Sequence, residues 1–290
     1  MPLGPPRRLS IAALAALVSS AAALAGPKVA TKLWETTGFK NPESALFDAG
    51  GGTLYVSNVN GEPLAKDGNG FISKVAPDGT ITTLEWVKGF DGPKGLAKVG
   101  GKLYVSDIDQ LVEIDIATAA IVARYPAKDA KFMNDVAADS AGNVYVSDTG
   151  TSTIWRLSGG AFEIWLADPK LENPNGLLVE GDKMLVASWG GGSPDKPSRM
   201  FTVDLATKAI APHGLGEPIG NLDGLEPDGD GGYFLTDWVA GNFHRVGRKG
   251  KVRLLMDLGQ GAADLGYDPA TKTVYVPQMM TSVLFAFKVE

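Results

Sequence analysis

The chain has 290 residues, 44% hydrophobic and 21% charged, with a formal charge of −6. That is ample for a packed core, and the mild acidity argues against a nucleic-acid partner, which would need a basic face. There is no cysteine, which rules out disulfide staples, thiolate metal sites and cysteine nucleophiles.

Residues 1–25 stand apart. Arg7 and Arg8 precede an apolar run that ends in Ala23-Leu24-Ala25, the pattern of a secretory signal cleaved before Gly26. Removing the two arginines takes the formal charge from −6 to −8. The expectation is an exported protein, periplasmic or extracellular, with 26–290 as its folded domain. No later stretch is long and apolar enough to span a membrane.

The first element expected after the signal is a strand at 29–36. Beyond it the chain is built from one repeating unit, seen most plainly at 132–166. That unit reads as four short strands, 134–139, 143–148, 151–157 and 161–166, rich in Val, Ile, Tyr and Trp and separated by turn residues. Its second strand carries Tyr145-Val146-Ser147. The same core stands at Tyr55-Val56-Ser57 and Tyr104-Val105-Ser106, and its pattern returns at Leu185-Val186-Ala187, Phe234-Leu235-Thr236 and Tyr275-Val276-Pro277. The six copies are spaced 49, 41, 40, 49 and 41 residues apart. A period of this size with four strands per copy predicts an all-β, six-bladed β-propeller.

The last copy is one strand short, and 29–36 has no place in the first. Pairing the two closes the ring between the N- and C-terminal strands and removes open sheet edges. The two long periods come from insertions at 58–70 and 190–197. Both follow a second strand, so both are placed as loops on one rim of the disc. Trp155 and Trp165 read as packing between blades, His213 and His244 as surface or loop residues, and Asp228-Gly229-Asp230 as a hairpin turn. No G-x-S-x-G elbow or dinucleotide-binding glycine loop is present.

In a propeller the innermost strand of each blade lines the axial channel, so one repeat position becomes a ring. Ten to twelve residues before each Tyr position stand Glu43, Lys94, Asn134, Asn175, Asp223 and Asp264. Five oxygen-bearing side chains suit a hard divalent cation, Ca²⁺ best, with Mg²⁺, Mn²⁺ or Zn²⁺ as further candidates. Asn-Pro-Asn-Gly at 173–176 and Asp223-Gly224 are also ordinary turn sequences, a reading that needs no metal.

The order of these residues is similar to the senescence marker protein, gluconolactonase and luciferin-regenerating-enzyme family of six-bladed propellers. The matches are Glu43 on the first inner strand, Asn134 in the third blade, Asn175-Gly176 in the fourth and Asp223-Gly224 in the fifth. The resemblance implies a divalent metal held by Glu43, Asn175 and Asp223, with Asn134 touching substrate or a metal-bound water. It also implies hydrolysis of a lactone or related cyclic ester, with Asp223 as general base for the attacking water. Phe132 stands where family lactonases often carry an arginine, which turns the expectation toward a more apolar lactone or ester. Lys94 has no family counterpart and is expected to orient an anionic group or to balance the acidic ring. Lys94, Phe132, Asn134 and Asp264 are thus the expected substrate contacts, on a monomer acting on a small molecule. The rival expectation is a non-catalytic propeller of the NHL-repeat kind, binding a ligand or protein through its rim loops. A synthase resembling strictosidine synthase fits less well, because no glutamate stands out at the required place.

Overall fold

The structure, a computed structural model, describes residues 30–290 together with Met1 and Gly4; the expected signal segment lies outside the described residues. Among the described residues there are 24 strands, β1 to β24 in chain order, forming six four-stranded antiparallel sheets. The only helical element among them is a single 3-10 turn, Pro169–Leu171. Five sheets are simple meanders of consecutive strands. The sixth joins β22 (Gly266–Asp268), β23 (Thr273–Gln278) and β24 (Val283–Val289) to β1 (Ala30–Thr37) from the other end of the chain. The closing ladder runs from Ala30 opposite Val289 to Thr37 opposite Val283. Two side chains of β1 reach on into the first blade: Trp34 Nε1 donates to the Pro77 carbonyl and Thr36 Oγ1 to that of Gly79. This is the closure expected from the unmatched terminal strands.

The Tyr-Val-Ser repeat explains how the blades hold together. Successive side chains of a strand face opposite sides of the sheet, so the Tyr and Val positions serve two different interfaces. Tyr55, Tyr145 and Tyr275 each pack against the following blade, whereas Val56, Val146 and Val276 pack against the preceding one. Six hydrophobic clusters result, one for each of the six blade-to-blade interfaces. Burying each such side chain contributes about 1.5–3 kcal/mol. Trp155 and Trp165 lie in two of these clusters, as expected.

The Ser position has a different task. In the first, third and fifth blades its hydroxyl accepts a hydrogen bond from a backbone N–H of that blade's own inner strand: Ser57 from Ser44, Ser147 from Asp135, and Thr236 from Gly224. In the second it donates to a carbonyl of the next inner strand, Ser106 to Asn134, and in the fifth Thr236 donates to Ala263, just ahead of the last inner strand. The repeat thus supplies blade packing and the fixing of the inner strands together.

The hairpin turns follow their composition. Gly159 and Gly160 both have positive φ, 57° and 85°, as a tight two-residue turn between Ser158 and Ala161 requires. Asp228 accepts from the backbone N–H groups of Asp230 and Gly232, making 228–230 the hairpin turn that was expected. His213 is a half-buried loop residue, in keeping with its composition-based placement. His244 is not at the surface. It sits within β20 (Asn242–Val246), 8% exposed, and neither ring nitrogen has a partner. Its strand position puts it inside the blade, where burial pushes its pKa down.

Candidate functional site: an axial cavity with orphaned oxygen donors

Five inner strands begin with the same irregularity. β2 (Pro42–Asp48), β6 (Pro93–Val99), β10 (Met133–Ala138), β14 (Pro174–Glu180) and β18 (Leu222–Pro227) each pair normally at their first residue. Each then shifts register before the fourth. The two residues inside each shift are released from the second strand, the way a bulge re-aims side chains beside a site. These are the positions that carry the candidate residues.

Register sorts them into two layers. Glu43, Lys94, Asn134, Asn175, Asp223 and Ala263 occupy the first position after the initial pair. Ser44, Gly95, Asp135, Gly176, Gly224 and Asp264 occupy the second, one layer deeper along the axis. Asp264 therefore does not complete the ring of Glu43 and Asp223; Ala263 does. The sequence count misplaced it because hairpin lengths vary between blades, so a fixed distance from the Tyr position is good only to a residue. Asp264 is instead a partner of Ser44, whose hydroxyl donates to Asp264 Oδ2 at 2.5 Å.

The turn reading of Asn175-Gly176 and Asp223-Gly224 also gives way, since both pairs lie within strands. Their glycines are required by close approach between neighbouring inner strands. A Cβ on Gly176 would sit 2.2 Å from the Asp223 carbonyl oxygen, and one on Gly95 2.4 Å from Asp135 Cα.

The upper layer opens into a cavity of about 360 Å³. Glu43, Lys94, Asn134, Asn175 and Asp223 line it, together with Phe132, Thr149, Asn173, Trp189, Trp238, Met279 and Pro63. Pro63 belongs to the first insertion, so that loop shapes this mouth; of the second, only the preceding residue, Trp189, lines the cavity. Lys94 is only 1% exposed. Its ammonium donates to the carbonyls of Pro63 (3.1 Å) and Gly92 (2.9 Å) and stands 4.6 Å from the Phe132 ring centroid. Burial lowers its pKa, while Glu43 and Asp107 oppose that shift. Asn134 donates a long bond, 3.4 Å, to Thr149 Oγ1, which itself donates to the Pro174 carbonyl.

The three oxygens expected to hold a metal are the ones left without partners. Glu43 Oε2, Asn175 Oδ1 and Asp223 Oδ1 are buried and make no hydrogen bond, three of eight such side-chain atoms among the described residues. An unpaired buried acceptor costs about 1–3 kcal/mol, so three in one cavity mark a place built to receive something electropositive. Burial, first, and repulsion from neighbouring carboxylates, second, push Glu43 and Asp223 well above the usual carboxylate range; Lys94 opposes this for Glu43 and an Asn175 hydrogen bond for Asp223. Two carboxylates and one amide oxygen form a hard donor set that fits Ca²⁺ or a similar cation. Among the described residues no three His, Asp or Glu side chains converge on one point; the third donor here is an amide.

Asp135 was missed by the sequence reading. Its signal was present: it follows Asn134 where the second, fourth and fifth blades carry glycine. It lies 5% exposed, bonded by the Leu177 and Val136 amides, and burial with the nearby Asp264 raises its pKa. Asp264 is raised to about 7, chiefly by burial. Trp189, Trp238 and Met279 were also missed, although each stands four residues after its Tyr position.

No protein-family model and no curated protein matches the chain. Solved structures do match its fold. A calcium-binding regucalcin from Agrobacterium tumefaciens aligns with a TM-score of 0.62 and 18% identity, covering 88% of this chain and 92% of that one. A gluconolactonase from Xanthomonas campestris aligns at 0.63 and 14%, covering 90% and 89%. Virginiamycin B lyase from Staphylococcus aureus aligns at 0.63 and 11%, covering 89% and 99%. At such identities the likeness is one of fold, and a fold hosts many activities.

Proposed function

We propose that the protein is a metal-dependent hydrolase of the gluconolactonase kind that opens a lactone or related ester in its axial cavity. The observation that carries this reading is the convergence of three unpartnered buried oxygens, Glu43 Oε2, Asn175 Oδ1 and Asp223 Oδ1, on that cavity. These three residues would hold a divalent cation, with Ca²⁺ favoured by the all-oxygen donor set. When bound, it would supply Lewis-acid polarisation of the substrate carbonyl.

The chain's own groups account for the rest. Asp223 takes a proton from the attacking water as the new C–O bond forms at the carbonyl carbon. The ester C–O bond then breaks, and the ring oxygen leaves with a proton as the hydroxyl of the product acid. Asn134, tied to Thr149, offers its amide carbonyl to the bound substrate or water. Lys94 has two N–H groups committed to backbone carbonyls and one face over Phe132, so it is a fixed charge that balances the acidic ring. Support from the fold is general: a gluconolactonase and a calcium-binding regucalcin share it. Export through the segment at 1–25 is part of the same proposal and rests on the sequence pattern alone.

The test is acid release from a panel of lactones, with Ca²⁺, Mn²⁺ and Zn²⁺ supplied in turn, for the wild type and Asp223→Asn. Turnover that needs a cation and falls at least a hundredfold in the variant is expected. Equal turnover by Asp223→Asn, or turnover indifferent to chelation, would sink the hydrolase reading.

A further inference from the structure

The residue just past the second strand forms a third layer, and four of its six members line the cavity. Register places Val59, Ile108, Thr149, Trp189, Trp238 and Met279 there, one from each blade, and five of the six are apolar. The layer is held by repeated backbone bonds: the N–H groups of Val59, Thr149, Trp189, Trp238 and Met279 donate to carbonyls of Asn41, Phe132, Asn173, Asn221 and Gly261. Trp189 and Trp238 stand side by side, centroids 5.9 Å apart and inclined at 57°. They belong to the blades that supply Asn175 and Asp223, so the apolar wall shares its cavity with two of the orphaned oxygens.

That wall is rigid. Asn221 Nδ2 donates to the carbonyls of Trp189 (2.8 Å) and Lys196 (3.1 Å), pinning the base of the 190–197 loop to the next blade. A Cβ on Gly192 would come within 2.6 Å of Trp189 Nε1, so the glycine lets the loop lie against the indole. On the neighbouring blade, Phe132 also lines the cavity, with the Lys94 ammonium over its ring. No arginine is among the cavity's lining residues, and its one lysine is already bonded. At the mouth, above the polar floor, a polyhydroxylated ring would meet indole, phenyl and thioether surface where its outer hydroxyls need partners, and leaving them unpaired costs affinity.

We propose that Trp189 and Trp238 form the specificity wall of this site and select a carbonyl compound bearing a flat apolar group, such as an aryl-fused lactone, over a sugar lactone. The inference deepens the hydrolase reading and rests on it for the position of the carbonyl. Aromatic walls of this kind bind planar apolar groups through burial and offset or edge contacts.

Two readouts separate the inference from the reading beneath it. In the first, kcat/KM is compared for dihydrocoumarin and δ-gluconolactone in the wild type, Trp189→Ala, Trp238→Ala and the milder Trp189→Phe. The wild type is expected to prefer dihydrocoumarin at least tenfold. Each alanine variant should lower that ratio about tenfold through KM, and Trp189→Phe should retain most of it. In the second, binding of the aryl product acid to the wild type is followed by tryptophan fluorescence, with gluconate as the comparison. A wild type that prefers δ-gluconolactone overturns the specificity wall and leaves the hydrolase reading intact. No turnover of either lactone, with the aryl acid bound and gluconate not, overturns the hydrolysis and upholds the apolar ligand class. Neither acid bound and neither lactone turned over overturns both.

Discussion

Removing and restoring a divalent cation should change the stability of this protein by an amount the cavity allows one to work out. In the metal-free state Glu43 Oε2, Asn175 Oδ1 and Asp223 Oδ1 are desolvated without partners. At about 1–3 kcal/mol for each unpaired acceptor, a few kcal/mol of destabilisation is held there. A cation that binds only the folded chain stabilises it by about 2.7 kcal/mol at a hundred times its Kd. For a chain of this length, about 2–4 °C per kcal/mol converts that to a rise in melting temperature of about 5–10 °C. The assay is differential scanning calorimetry of chelator-treated protein with Ca²⁺, Mg²⁺, Mn²⁺ or Zn²⁺ titrated back. Glu43→Gln and Asp223→Asn keep the side-chain shape and remove the charge, so each should cut the shift to about a degree while leaving the metal-free protein folded. A melting temperature indifferent to every cation at millimolar concentration, or a full shift retained in both variants, would refute the reasoning.

The remaining predictions concern pH and processing. Burial raises Asp264 to about 7, against about 3.9 for an unfolded aspartate. A raised carboxylate contributes stability that is complete below its unfolded pKa and is lost as pH rises through its folded one. Chelator-treated protein should therefore melt at a lower temperature at pH 8 than at pH 5. Asp264→Asn should flatten part of that slope, and calorimetry across this window showing parallel profiles would count against it. If 1–25 is an export signal, intact mass of protein recovered from outside the cytoplasm should correspond to a chain beginning at Gly26; retention of Arg7 and Arg8 in that material would contradict it.

The site was legible in the sequence wherever side-chain chemistry and blade order sufficed. Glu43, Asn134, Asn175 and Asp223 could be named because each opens an apolar run at one place in a repeat, and they do line one cavity. Lys94 could be named but not understood: two of its partners, the Pro63 carbonyl and the Phe132 ring, come from other stretches of chain. Asp264 was placed one residue out because the depth of an inner-strand residue depends on cross-strand register, and hairpin lengths blur that register in a linear count. His244 was misjudged because one histidine among strand residues carries no mark of which way it faces.

By itself, then, the sequence determined the number of blades, the four strands in each, the closure between the two ends and the chemical character of the axial ring. It could do so because period-two patterning, turn residues and a repeat of 40 to 49 residues are local properties, written along the chain. Only the tertiary structure decided the layering of that ring: Glu43 with Asp223 above, Asp135 with Asp264 below, and Trp189 beside Trp238 at the mouth. Those groupings join residues tens to hundreds of positions apart, and it is the register shift at the head of each inner strand that sets their depth along the axis.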